Sequence, residues 1–190
     1  MAYQTDRTWV SGEHPTNAMF NVIRDNLKWL STDKPMCRVT FAGGDNLNFT
    51  HSAWNDIVFG AESFDNAAMH SIASATERVI AQAAGKFLYG CTISWSRWDS
   101  GSGTAGTRRS LQTLLNGATV IAANEGGPIT DDSGGAALDG HVSVLTCYSM
   151  AAADYFGSQF QDNATASNLN SGATSPFGGQ HYSWAMWVGI

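Results

Sequence analysis

Lys86-Phe87-Leu88-Tyr89-Gly90-Cys91-Thr92-Ile93-Ser94-Trp95-Ser96-Arg97-Trp98 decides the fold. Phe87, Tyr89, Cys91, Ile93 and Trp95 alternate with Leu88, Gly90, Thr92 and Ser94, so the larger side chains fall on one face at a period of two. That is a strand with one face in a core. Ala84-Gly85 breaks the chain just before it, and the glycine-rich Ser100 to Gly106 follows it.

Outward from this strand the pattern repeats in short pieces. Arg38 to Phe41, Leu47 to Trp54, Ile57 to Phe59 and Glu77 to Ala81 read as strands upstream, with a turn at Ala42-Gly43-Gly44-Asp45. Downstream, Leu111 to Leu115 and Ala118 to Ala122 flank Asn116-Gly117, a dipeptide whose two positions both accept positive φ and so favour a tight hairpin. Asn124 to Gly135 reads as a polar loop. His141 to Met150 alternates through Val142, Val144, Tyr148 and Met150. Tyr155 to Gln161 is strand-like, and Tyr182, Trp184, Met186, Val188 and Ile190 close the chain on another alternation. Seven or more short strands with Gly and Asn turns predict an antiparallel β sandwich.

The first fifth is different. Phe20, Ile23, Leu27 and Leu30 are spaced 3, 4 and 3, which is the a/d seam of an amphipathic helix. Thr16 is placed to cap its first turn, Pro15 keeps it from extending backwards, and Asp33-Lys34-Pro35 ends it. A helix of about 15 residues is marginal alone in water. The seam is therefore expected to pack on copies of itself or on another protein. The chain divides into an arm and helix over residues 1–35, an attachment or oligomerisation device, and a β body over 36–190.

Composition narrows the functions. Charged residues are 14% of the 190 and the net charge is −6, so no basic track for a phosphate backbone is expected. Arg108-Arg109 is the only adjacent basic pair and reads as a solvated strand end. No apolar run resembles a signal peptide or a membrane span, so no membrane insertion is expected. Cys37, Cys91 and Cys147 form no CxxC and read as reduced thilos of a protein folded in a cytoplasm. Asn48-Phe49-Thr50 and Asn163-Ala164-Thr165 match the glycosylation pattern, by chance in a chain without a secretory signal.

No catalytic set stands out. Gly101-Ser102-Gly103-Thr104-Ala105-Gly106 matches GxGxxG, with Glu125 some way on as a dinucleotide site would want. Against that reading, Asn116-Gly117 would break the following helix early, and no further βαβ unit exists. His14, His51, His70, His141 and His181 show no metal-ligand spacing. Asp131-Asp132, near Asp139, could offer a weak calcium site through loop oxygens, but such loops normally need several ordered ligands. No cofactor and no enzyme activity are expected. Among the seven Trp, Trp95 and Trp184 fall on the apolar faces of their strands and are expected in the core. Trp98 and Trp187 have the opposite parity, which suits a subunit contact or an exposed platform for a glycan.

Ile80-Ala81-Gln82-Ala83-Ala84-Gly85-Lys86-Phe87-Leu88-Tyr89 resembles a strand, small-residue turn and aromatic strand of the jelly-roll domain shared by the complement globular head and tumour necrosis factor. Leu115-Asn116-Gly117-Ala118 resembles that domain's hairpin, Met150 to Tyr155 its small-residue-then-Asp turn, and Tyr182 to Ile190 its closing strand. Ala153 stands where the usual residue before the Asp is Gly. Thr8-Trp9-Val10-Ser11-Gly12-Glu13, with Asn21 to Leu27, resembles the leader of many structural proteins of tailed bacteriophages. These resemblances imply a jelly roll behind a short helix, in a homotrimeric, non-enzymatic virion component. Its partners would be other virion proteins of the capsid or tail; the alternative is a host receptor- or glycan-binding module of the virion, with a host cell-surface glycan as a ligand. Capsid decoration, short fibre and tail-tip knob all fit, and the segment from Tyr3 to Leu30 would attach it.

Overall fold

The computed structural model describes residues 10–41, 53–95, 107–129, 140–162 and 181–189. One α-helix comes first, α1 (Asn17–Lys28), and runs into a single π turn at Trp29–Asp33. Ten strands follow: β1 (Met36–Thr40), β2 (Asn55–Asp56), β3 (Ala61–Asp65), β4 (Arg78–Ile80), β5 (Gly85–Trp95), β6 (Thr107–Leu115), β7 (Thr119–Ile129), β8 (Gly140–Met150), β9 (Tyr155–Asp162) and β10 (Tyr182–Gly189).

They form two antiparallel sheets. The first has the order β3-β1-β10-β5-β8, and the second the order β2-β9-β6-β7 with β4 also paired to β9. Every consecutive pair of strands except the β6–β7 hairpin lies in different sheets, which is the double-sheet wrapping of a jelly roll. The expected mainly β fold behind a short helix is therefore present.

Several boundaries differ from the sequence reading. β3 was not expected, because Ala61-Glu62-Ser63-Phe64-Asp65 sits at a sheet edge and lacks the alternation of a half-buried strand. Ile57 and Phe59 are buried but belong to no strand, while β7 continues through the supposed loop to Ile129. The segment after the glycine-rich loop is strand β6, antiparallel to β7 and β9, so no helix follows GxGxxG. Residues 47–52 and the GxGxxG residues themselves lie outside the described residues.

The core fills the space between the sheets. Phe87, Tyr89, Cys91 and Ile93 of β5 point inward as their alternation predicts, facing Leu111, Phe156 and Phe160 of the second sheet. Tyr89 stacks on Phe156 with centroids 4.5 Å apart, and its hydroxyl is hydrogen-bonded to Ser158 Oγ at 2.8 Å. That bond satisfies the one polar atom the ring carries into the interior. All three cysteines are free, and burial pushes the Cys37 and Cys91 thiols up to about 12, so both act as small apolar groups.

Trp187 of β10 corrects the parity reading. Ser183, Ala185 and Trp187 face the core, and Tyr182, Trp184 and Met186 face outward. β10 lies mid-sheet between β1 and β5, opposite large aromatics that already occupy the interior. Close packing there admits only the small Ser183 and Ala185, while Trp187 fills the end of the core against Trp29. Ser183 Oγ pairs with the Gly90 carbonyl at 3.2 Å. Arg109 is a second correction: Arg108 is solvated and paired with Glu125, but Arg109 is buried on the inner face of β6.

Short turns gather at one end of the sandwich. Asn116 (φ 51°) donates from Nδ2 to Asp154 Oδ1 at 2.8 Å and accepts from the Tyr155 N–H at 2.9 Å. Asp154 Oδ2 accepts from the Ala151 N–H, and the Asp154 carbonyl accepts from the Ala81 N–H. Three connections, 81–84, 116–118 and 151–154, are thereby locked together. The Asn116 amide, then the Ala151 N–H, hold the Asp154 carboxyl below the usual range. The strand ends flanking residues 42–52, 96–106, 130–139 and 163–180 all lie at the opposite end.

Ala153 has φ 72°, a left-handed conformation that a Cβ disfavours by about 1 kcal/mol. Replacing Ala153→Gly should therefore stabilise the fold by about 0.5–1 kcal/mol, read as a higher denaturation midpoint with an unchanged slope. A lower midpoint would show that the turn is not strained.

Candidate interaction interface

The helix is held at the turn end. Thr16 caps it as expected: its Oγ1 accepts from the Met19 N–H at 3.4 Å, and its own N–H donates to Met19 Sδ at 3.0 Å. At the other end Asn66 clamps the exit. Its Nδ2 donates to the carbonyls of Thr32 and Lys34, and its Oδ1 accepts from the Met36 N–H at 2.9 Å. Trp29 enters the sandwich core and meets Trp187 edge to face, with centroids 4.6 Å apart. The Trp187 N–H donates to the Pro35 carbonyl at 2.9 Å. The boundary at residue 35 thus separates kinds of secondary structure but not two cores.

Two seams, offset by one residue, run along this helix and end on its π turn, at Trp29 and Leu30. Met19 and Trp29 are buried and Val22 and Asn26 are half-buried, a 3, 4, 3 line at 19, 22, 26 and 29. The line read from sequence lies beside it, and its members stay exposed: Phe20 58%, Ile23 44%, Leu27 62% and Leu30 49%. Sequence reasoning missed the first line because Asn26 interrupts it and Trp29 scores as well at a helix end as inside. Covering the second line would gain roughly 1 kcal/mol per side chain, since about half of each is already out of water.

A second apolar surface is the outer face of the first sheet. Its cross-strand rows are Met36–Met186–Leu88–Cys147, Phe64–Arg38–Trp184–Gly90–Leu145 and Thr40–Tyr182–Thr92–Ser143. Leu145 is 63% exposed, Phe64 46% and Val188 43%, around half-buried Trp184, Tyr182 and Met186. The Arg38 guanidinium covers the Tyr182 ring at 4.9 Å. By contrast the second sheet's outer face carries a polar row, in which Gln112 donates to Gln159 and Gln159 to Asp56.

Trp184 depends on a glycine. A Cβ at Gly90 would lie 2.7 Å from indole atoms, so the ring lies flat on bare backbone. Trp184, expected in the core, is therefore part of the outer face. Trp187, expected at a subunit or ligand contact, is in the core. Trp98 lies outside the described residues.

Among the described residues two histidines are buried. His181 is buried against Phe41, edge to face at 4.7 Å, and its Nδ1 accepts from the Ser94 N–H at 3.2 Å. Burial pushes it down to about 4. His70 is enclosed between Glu62, 3.0 Å from Nδ1, and the Thr76 carbonyl, 3.1 Å from Nε2, which ties β3 to the segment before β4. Among the described residues no group of three His, Cys, Asp or Glu side chains could hold a metal ion, and no helix is long and apolar enough to cross a membrane. The Asp131-Asp132 loop lies outside those residues.

No protein-family model and no curated protein sequence matches this chain.

Two outcomes follow from this geometry. His181 binds its proton less readily folded than unfolded, so its contribution is complete above about pH 6.5 and is lost as pH falls toward 4. The loss should be on the order of 3 kcal/mol. His181→Gln, which keeps an acceptor for Ser94, should flatten the stability profile over that window; an unaltered profile would show that other groups set it. Gly90→Ala should lift the Trp184 indole and cost about 1–3 kcal/mol, seen as a lower denaturation midpoint with a shifted tryptophan emission. An unchanged midpoint and emission would mean the ring moves aside freely.

Proposed function

We propose that this chain is a non-enzymatic structural subunit of a tailed-bacteriophage particle. It works as a homotrimer held to the particle by its N-terminal segment. The observation that carries this reading is the exposed seam of Phe20, Ile23, Leu27 and Leu30 on a helix fixed to its own body. A helix already stabilised by Met19 and Trp29 has no folding need for a second apolar line, and apolar contiguity of that kind marks an interaction site.

Three further features support it. The strand order has the jelly-roll wrapping implied by the resemblance of Ile80 to Tyr89, Leu115 to Ala118 and Tyr182 to Ile190. The outer face of the first sheet offers apolar area with only Arg38 among its central rows charged, so a neighbouring subunit could cover it with little ion desolvation. The helix meets the turn end of the sandwich, and the strand ends flanking residues 42–52, 96–106, 130–139 and 163–180 lie at the other, which suits one end on a particle and the other facing outward.

Light scattering on the purified protein should report three times the 20.3 kDa chain mass, and a monomer at micromolar concentration would overturn the trimer. In a map of the assembled particle, the turn end carrying the helix should face the particle surface. The reverse orientation, or absence from particles, would overturn the attachment role.

A further inference from the structure

We infer that His70, Glu62 and the Thr76 carbonyl form a proton-dependent latch on edge strand β3. It is closed while His70 and Glu62 share a proton between them and opens once that proton is lost. The latch lies within one chain and does not depend on the trimeric reading above. Position is the first argument. β3 is the edge of the first sheet, beside β1, and β4 pairs with β9 in the second sheet, so residues 66–77 cross from one sheet to the other. The His70 side chain is fully enclosed in that crossover. Its Nδ1 lies 3.0 Å from Glu62 Oε1 on β3, and its Nε2 lies 3.1 Å from the Thr76 carbonyl. The same carbonyl accepts from the Phe59 N–H at 3.0 Å. One ring thus bridges the edge of the first sheet and the entry to β4.

Hydrogen count is the second argument. A carbonyl only accepts, so Nε2 carries a hydrogen. A bond between Nδ1 and the Glu62 carboxylate then needs one proton more, held by either atom. Without it a nitrogen lone pair faces a carboxylate oxygen at 3.0 Å, and the Glu62 side chain, 30% exposed, turns to water instead. Strand geometry is the third. The register of β3 on β1 shifts between Arg38 and Val39, which leaves Ser63 without a partner on β1. Phe64 therefore lies opposite Arg38 on the outer face, while Glu62 lies opposite the buried Val39. A bulge of this kind re-aims a side chain; in a regular strand Glu62 and Phe64 would share one face. The neighbouring charges suit a proton held here. β3 adds Asp65, whose Oδ2 accepts from the His70 backbone N–H at 2.8 Å and whose Oδ1 accepts from the Ala67 N–H at 3.1 Å. β1 adds the Cys37 thiol, pushed up by burial first, then by Asp65 and Glu62. On the β4 side Arg78 and Glu77 pair with each other at 2.8 Å.

Amide hydrogen exchange of the full chain, corrected for the pH dependence of free amides, tests the latch. As the pH rises from about 5 to about 8, across which histidine ordinarily loses its charge, residues 61–77 should open about tenfold more often, the scale of one charge-assisted hydrogen bond. The amides of β5 should hold. The change should follow the titration of the His70 ring nitrogens read by NMR. His181 acts with the opposite sign, since its contribution is lost toward acid. Glu62→Gln should abolish the dependence and keep residues 61–77 protected, because a side-chain amide donates to an unprotonated Nδ1. The nitrogen titration and the exchange are both read on the unaltered chain, so they decide the matter even if that variant fails to fold. A His70 ring that keeps its protonation over that span, exchange that stays level while the ring titrates, or a Glu62→Gln variant with the original dependence would each overturn the latch.

Discussion

Trp29 and Trp187 meet edge to face at one end of the sandwich, and the helix is joined to the two-sheet body through that contact. Trp187 reaches this position only because Gly85 has no side chain: φ is 149° there, and a Cβ would lie 2.6 Å from the Gly189 carbonyl and closer still to the Trp187 indole. The indole Nε1–H donates to the Ala84 carbonyl at 3.4 Å. One ring thus joins the start of β5, the end of β10 and the π turn after the helix. The helix is too short to persist in water by itself, so its order and direction derive from this junction.

A similar pairing occurs on the other side of the same sheet, where Trp184 lies on Gly90. The two indoles of β10 therefore cover two glycines of β5, one inside and one outside. Inside, the result is a sealed core end. Outside, it is a flat aromatic surface bordered by Met186, Leu88 and Leu145. The second sheet differs: its outer row at Asp56, Gln159 and Gln112 is polar and joins its side chains to one another. The molecule is two-faced as a result, and the face that water solvates poorly is the one continuous with the helix junction.

The two ends differ as well. At the turn end Asn116, Asp154 and Ala81 close three connections with hydrogen bonds between chain segments far apart in sequence. At the other end the interior carries polar side chains, Arg109 and His181, that the sheets enclose. Of the two, His181 makes that end sensitive to acid, because burial makes it bind a proton less readily than in the unfolded chain.

Local pattern was enough to place the helix with its Thr16 cap, the strand from Lys86 with its inward Phe87, Tyr89, Cys91 and Ile93, the Asn116-Gly117 hairpin, and the mainly β, antiparallel character of the body. Each depends on periodicity or backbone geometry within a few residues. The exposed seam at Phe20, Ile23, Leu27 and Leu30 was legible for the same reason. What periodicity could not supply was which of two faces turns inward. On β10 Tyr182, Trp184 and Met186 went outward because Phe87, Tyr89, Phe156 and Phe160 fill the middle of the interior, which leaves room there for Ser183 and Ala185 and, at the end beside Trp29, for Trp187. On the helix the line at Met19 and Trp29 went inward because Trp187 was there to receive it. Arg109 became buried because strand β6 carries its parity into the sandwich whatever the side chain's charge. Those choices were made by the volume and partners available between the sheets, which belong to residues distant in sequence, and only the tertiary structure decided them.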